Sequence, residues 1–330
     1  MNQIRTKSSP DWAPFRIDPV FVGRVWGYRD LRPWFDRVAD TEPIGEVWLT
    51  GNQCVAATGA QAGQRLDHLF GESREELLGP AAPGTDSPLL IKVILAAEKL
   101  SVQVHPDDAL AHKYGLERGK TECWYALAAK PGAQVAVGLR AGISASEVRA
   151  AIESNTLEQD LNLLPIAAGD MVYVDAGTVH AIWPGSILLE VQQNSDVTYR
   201  MYDYGRPREL HVEQGLEAMR MHTRAGKIAP TKLGDRTILI DVEYFCIERV
   251  PVATAISSKE LSETDTSRPG LAYLFAAAGA GTVSGDGFEA IDLPPRSIVC
   301  VPAAAPEFAV KNQGDLDLIR ITPKWDAFRL

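Results

Sequence analysis

Residues 100–127 read LSVQVHPDDALAHKYGLERGKTECWYAL, and the placing of polar residues in this stretch decides the fold. Ser101 to His105 alternates as a strand does, so Gln103 and His105 leave the same face. Pro106-Asp107-Asp108 is a helix start, and Gly115 is a stop. Lys120, Thr121 and Glu122 lead into a second strand, Cys123 to Leu127. Further on, Met171 to Val174 is a buried-type strand and Asp175-Ala176-Gly177 a turn, after which His180 opens another strand. Gln103, His105, Glu122 and His180 form an oxygen and nitrogen donor set without thiolate. That set suits Zn²⁺ with open positions better than a closed structural zinc. The bland alternative is four unrelated polar core residues.

Working outward, the chain has 330 residues, 45% of them hydrophobic and 23% charged, and reads as an ordinary globular protein. No segment has the apolar length of a membrane span, and the first residues carry no signal-peptide core. The four cysteines are scattered without a CxxC pair, which points to reduced core residues and a cytoplasmic location. A net charge of −10 argues against nucleic acid or an anionic membrane as partner. An anionic small molecule stays open if basic residues gather locally, and Lys92, Lys120, Arg200 and Arg206 are the candidates. No obligate protein partner is implied.

Both FVGRVWGYRDLRPWF and TEPIGEVWLTGNQCVAA read as short strands broken by Gly and Pro. Helical spacing is expected over Leu66 to Leu78. PLLIKVIL holds a lysine, Lys92, inside an apolar strand, either snorkelling to an edge or pointing into a pocket. Gln134 to Leu139 is a strand, and Ser144-Ala-Ser-Glu147 is a capping box opening a helix expected to reach about Asp160. Strands resume at Ile166, and Ser186 to Val191 is a buried run ending near Glu190. Residues 211–222 are expected to be helical. Thr223 to Asp235 is the candidate linker between a catalytic domain over 1–225 and a C-terminal domain over 236–330. From Thr237 the pattern is almost pure β, with a hairpin at Ser284 to Gly287. Gly279-Ala-Gly281 has no helix after it, so a β-turn is expected there and not a nucleotide loop.

Residues 165–182 align without gaps on 292–309. In that register His180 meets Glu307, and the C-terminal region has no histidine. The second half therefore reads as a metal-free copy of the same β-fold.

The order SVQVHPDD, GKTECWY, AGTVHAI, then a glutamate ten residues before an arginine resembles the type I mannose-6-phosphate isomerases, most of all their short bacterial form. VWG (25–27), GEVW (45–48) and PLLIKVI (88–94) extend the resemblance over nearly the whole chain. It implies a mainly β double jelly roll of the cupin superfamily with a small helical insert, the second jelly roll being degenerate. It also implies one Zn²⁺ per chain and interconversion of mannose 6-phosphate with fructose 6-phosphate. By the same resemblance Gln103, His105, Glu122 and His180 are the zinc ligands. Arg200, Lys120 and Glu190 fall at catalytic positions, and Ser101, Lys92 and Arg206 at substrate-binding ones. Arg206 stands where fungal members have lysine, Asp175 replaces a common proline, and Ile182 replaces an aromatic residue of some members.

The implied reaction moves a proton between C2 and C1 through a cis-enediol. It needs a base near those carbons, positive charge at the oxygens and an anchor for the phosphate. Glu190 and Lys120 both qualify as base by type. Two rival readings share the donor set: an iron-dependent oxygenase cupin, which would need oxygen, and a sugar-binding cupin without turnover.

Overall fold

The computed structural model describes residues 12–80, 82, 84, 86–262 and 270–324. It is mainly β, as expected, and groups into two compact units. One comprises the described parts of Met1–Val20, Leu49–Pro88 and Pro230–Leu330; the other comprises Phe21–Trp48 and Leu89–Ala229. The boundary near residue 230 falls inside the anticipated linker. Phe21–Trp48 groups with residues 89–229, but the described parts of Met1–Val20 and Leu49–Pro88 group with the C-terminal strands instead. Strand pairing explains why: Phe15–Asp18 pairs with Ile298–Val301 and with Val55–Ala56, which draws the N-terminal segment into the C-terminal unit. The linker itself carries short strands, Gly226–Ile228 and Thr231–Leu233, which pair on opposite sides of the boundary.

In the unit holding residues 100–127, a seven-stranded sheet runs in the order Gly226–Ile228, Met171–Val174, Glu122–Ala129, Ser186–Gln193, Leu89–Leu95, Ile44–Trp48, Val20–Tyr28. A five-stranded sheet runs Tyr199–Tyr202, Val102–Val104, His180–Ile182, Gln134–Leu139, Leu161–Pro165. Their inner faces share one core. Ile94, Trp124, Val172 and Leu188 from the first sheet meet Val135, Val137 and Ile182 from the second. Alternation decides what goes where. Val102, Val104, Val179 and Ala181 turn to the other side of the five-stranded sheet, where they pack with Val148, Ala151 and Ile152 of the helix Ala145–Glu153. Gln103, His180 and Ile182 therefore face inward.

That helix has the anticipated capping box: the Ser144 hydroxyl accepts from Glu147 N while Glu147 accepts from Ser144 N. It ends at Glu153, short of Asp160. Asn155 has φ 59°, and a one-turn 3₁₀ segment, Leu157–Asp160, leads directly into the unanticipated strand Leu161–Pro165. The 211–222 helix is likewise shorter, Val212–Ala218. Leu66 to Leu78 is two helices, Leu66–Glu72 and Arg74–Leu78, which break at Ser73.

The other unit is built on a ten-stranded sheet around the long antiparallel pair Ala272–Gly285 and Phe308–Pro323. The repeat is visible in the strands. Met171–Val174 and Ile298–Val301 occupy identical places in the aligned segments. Gly279 does not make a β-turn. It sits inside Ala272–Gly285 where the register shifts, with φ 64°, and an added Cβ there would lie 2.2 Å from the Asp315 carbonyl oxygen. A bulge closes against the partner strand at that point.

Candidate active site

Three adjacent strands bring Arg200, Gln103 and His180 into one row, Arg200 opposite Gln103 and Gln103 opposite His180. From the facing sheet a second row presents Trp48, Lys92, Glu190 and Trp124, each opposite the next. Two rows of inward polar groups in an otherwise apolar sandwich form the site.

His105 follows the strand Val102–Val104, and Glu122 opens Glu122–Ala129. Glu122 Oε2 lies 3.5 Å from His105 Nε2, and its Oε1 lies 3.4 Å from His180 Nε2. All three side chains are 1% exposed. The His180 ring donates from Nδ1 to the Thr178 carbonyl at 2.9 Å, so Nε2 carries the ring's lone pair. Gln103 Nε2 reaches that nitrogen at 3.2 Å. Burial pushes the His180 imidazole down to about 4. Burial, then Lys120, His180 and Lys92, holds His105 well below the ordinary 6.5. Both rings are therefore neutral donors, not cations that could pair with Glu122.

Both His105 ring nitrogens and both Glu122 oxygens are buried without a hydrogen-bond partner. One donor atom from each of His105, Glu122 and His180 lies within 4.8 Å of the others. Neutral imidazoles converging on a carboxylate, too far apart to bond one another, fit a shared cation. Lys120 Nζ stands 3.1 Å from Glu122 Oε2.

Through Gln103 and Lys120 the cluster adjoins a cavity of about 350 Å³. The cavity's basic residues are Arg24, Lys92, Lys120, Arg200 and Arg208; its carboxylates are Glu46, Glu190 and Asp196. Ser101 and Ile182 also line it. Lys92 points into the sandwich, pairing with Glu190 at 2.9 Å and with Glu46 at 3.9 Å. Burial works against its ammonium, yet the two carboxylates hold its pKa above the ordinary value. Glu46 also accepts from the Arg24 guanidinium and from Trp48 Nε1, at 2.7 Å. Burial alone would raise Glu46, but Lys92 and Arg24 bring it down to about 2. Glu190 accepts from Trp124 Nε1 at 2.9 Å and is pushed up by burial and by Glu122.

The structure thus gathers Gln103, His105, Glu122 and His180, and around the adjoining cavity Ser101, Lys92, Lys120, Glu190 and Arg200. It does not bring Arg206 into the cavity lining. That guanidinium is taken by Glu98, the Lys99 carbonyl and Asp203, while Arg208, two residues on, lines the cavity. Arg24, Glu46 and Arg208 were missed. Glu46 had the same signal as Lys92, a charge in a short buried strand; Arg208 had none, since RPR offers two arginines and no periodicity. Asp175, the departure from the common proline, accepts from the Thr178 hydroxyl and the Arg224 amide, and so ties the turn before His180.

The two facing antiparallel sheets and the buried histidine–carboxylate cluster between them make this a mainly β, cupin-like protein. Residues 16–141 match the family described as phosphomannose isomerase type I, catalytic domain. The chain is 36% identical over 262 residues to the mannose-6-phosphate isomerase of Streptococcus mutans, covering 74% of this chain and 82% of that protein. The crystal structure of the Bacillus subtilis mannose 6-phosphate isomerase superposes with a TM-score of 0.81 at 30% identity, over 94% of this chain and 99% of that one. A mannose 6-phosphate isomerase bound with zinc and yttrium shares the fold, with a TM-score of 0.72 at 17% identity, over 94% of this chain and all of that one. The chain belongs to the type I mannose-6-phosphate isomerases, a family of enzymes. Among the described residues no helix is long and apolar enough to cross a membrane.

Proposed function

We propose that the protein interconverts mannose 6-phosphate and fructose 6-phosphate with one zinc ion held by Gln103, His105, Glu122 and His180. The observation that carries this reading is the buried, converging His105–Glu122–His180 cluster beside a cavity rich in basic side chains, in a protein whose net charge is −10. Bound there, zinc would supply Lewis-acid polarisation of the sugar's carbonyl and hydroxyl oxygens.

The chain's own groups do the rest. Lys120 and Arg200 put positive charge where the enediol oxygens become negative. Ser101 offers a hydroxyl contact on the cavity wall. Glu190 and Lys120 both reach that wall and are the groups on hand to carry the proton between C1 and C2. Burial makes Glu190 a better proton acceptor than an exposed carboxylate. Lys92, fixed between Glu190 and Glu46, holds that carboxylate in place.

The test is conversion of mannose 6-phosphate in oxygen-free buffer before chelation, after chelation and after zinc is restored, with metal content and melting temperature followed alongside. Turnover and bound zinc should vanish and return together, with the melting temperature falling in the chelated protein. Zinc-loaded protein that binds the sugar phosphate and leaves it unchanged would sink the reading. Activity that requires oxygen would transfer it to the oxygenase class.

A further inference from the structure

The repeat that aligns residues 165–182 with 292–309 extends into the strands around them. In the unit with the histidines, Val174 lies opposite Glu122, and an inner row runs Trp48, Lys92, Glu190, Trp124. In the other unit Val301, which aligns with Val174, lies opposite Ala272, and the matching row runs Ile238, Glu248, Arg320, Leu274. A strand and a short helix, Ala255–Ser257 and Ser258–Ser262, precede Ala272 as Val102–Val104 and Asp108–Lys113 precede Glu122. Position by position, Ala272 stands for Glu122 and Glu307 for His180. The buried Lys92–Glu190 pair becomes Glu248–Arg320, with the charges exchanged between strands.

Loss of metal ligands alone would let apolar side chains close this end of the second unit. They close its middle, where Val283, Val299, Val310 and Leu318 pack together. At the end that corresponds to the histidine cluster there is instead a cavity of about 430 Å³, larger than the 350 Å³ one beside the histidines. Ala272 and Glu307 both line it. Opposite residues of an antiparallel pair face the same way, so Arg320 shares the inner face with Leu274, and both reach the cavity wall. Arg320 Nη1 donates to Glu248 at 2.7 Å, which fixes the guanidinium there. Lys259 and Glu307 stand exposed at the rim. The Ser258 hydroxyl accepts from Phe308 N at 3.2 Å and can donate its own hydrogen. Two cationic side chains suit an oxyanion, and a carboxylate with a hydroxyl suits the hydroxyls of a small carbon frame.

We propose that the second unit holds a ligand site of its own, which takes a small polyol bearing an oxyanion. Arg320 and Lys259 meet the oxyanion, and Glu307 and Ser258 meet the hydroxyls. The site binds without isomerising, because Ala272 and Glu307 replace the carboxylate and imidazole of the first copy and the chain has no histidine after His222.

The experiment titrates glucitol 6-phosphate, which has no carbonyl to isomerise, and separately gluconate, by calorimetry into the full-length zinc-loaded protein. The variants are Ala305→Trp, which puts an indole into the cavity from its half-buried wall, Lys259→Gln and Arg320→Lys, each checked for melting temperature. Ala305→Trp should bind one probe molecule fewer per chain than the unaltered protein, with KM and kcat for mannose 6-phosphate unchanged. Lys259→Gln should weaken that site alone by roughly 2- to 5-fold, as an exposed charge does. Arg320→Lys should weaken it by roughly 10-fold, since the charge stays and the planar fork is lost. Gluconate binding alone at the Ala305-sensitive site would assign a carboxylate ligand, and glucitol 6-phosphate alone a phosphorylated one. Equal stoichiometry for both probes in Ala305→Trp and the unaltered protein, or a site lost only together with a raised KM, would overturn the proposal. Should Ala305→Trp fold poorly, Lys259→Gln decides: unchanged affinity at every site would overturn it too. An Ala305-sensitive site in protein that leaves mannose 6-phosphate unconverted would keep this site and sink the isomerase reading.

Discussion

Glu248 is the buried charge whose removal has the clearest expected cost. It lies on Phe245–Pro251 opposite Arg320, and its side chain is 3% exposed. Arg320 Nη1 donates to Oε1 at 2.7 Å, and Arg236 Nη1 lies 3.1 Å from Oε2 while also donating to the Leu261 carbonyl at 2.9 Å. Glu248→Gln keeps the shape, removes the charge between two buried guanidiniums, and turns an amide donor toward their donors. Breaking a buried pair in this way costs about 3–5 kcal/mol, because the partner charges stay in the interior. At about 2–4 °C per kcal/mol for a unit of this size, the melting temperature should fall by roughly 6–20 °C. The comparison is Arg249→Ala, which breaks the half-exposed Arg249–Asp317 pair in the same sheet. It should cost at most about 1 kcal/mol. Thermal unfolding followed by circular dichroism separates the two. Equal shifts in both variants would refute the argument that burial, and not mere pairing, sets the cost. Replacing Arg236, Glu248 and Arg320 together by apolar residues should restore much of the stability lost by the single change.

Two further outcomes can be checked with purified variants. Glu46 has a folded pKa of about 2 against an ordinary 4.5, so the stability it contributes is fully present above pH 4.5 and drains away as pH falls towards 2. At 1.36 kcal/mol per pKa unit this amounts to about 3 kcal/mol; urea midpoints between pH 5 and 2.5 should fall less steeply in Glu46→Gln, and parallel slopes would count against it. Gly119→Ala would put a Cβ 2.5 Å from the Asp107 carbonyl carbon and 2.6 Å from the Pro106 oxygen, which are backbone atoms with little room to move. A destabilisation of roughly 1–3 kcal/mol and a reduced zinc content are expected, since the strain lies between His105 and Glu122; full zinc occupancy in a normally stable variant would contradict this.

The sequence was most readable where side-chain direction follows from alternation. Gln103 had to share a face with His105, and Val102 and Val104 had to turn the other way, so the donor set could be assembled before any contact was known. Reading failed where the outcome depends on distant pairing. LNLLP at 161–165 has a helical neighbour on one side and nothing in its own composition that demands a strand; it is a strand because Gln134–Leu139 offers an open edge. Gly279 looked like a turn because the bulge it forms is dictated by Asp315 on the partner strand. Arg206 and Arg208 could not be ranked, since Asp203, Glu98 and the Lys99 carbonyl decide which guanidinium faces the cavity. Spacing cannot show which charges find local partners first.

The pairing of Phe15–Asp18 with Ile298–Val301 has a consequence for synthesis. A chain emerging from the ribosome makes the first of these strands some 280 residues before the strand it must meet. Residues 21–48 and 89–229, which carry the proposed zinc ligands and cavity, can close their sheets while the second sheet still lacks most of its strands. Val55–Ala56 can cover one edge of the early strand, but the edge that meets Ile298–Val301 must wait uncovered. Long-range pairing of this kind is slow and leaves strand edges open to the wrong neighbour. Translation thus completes the unit with the proposed site first and leaves the oldest part of the chain to be captured last.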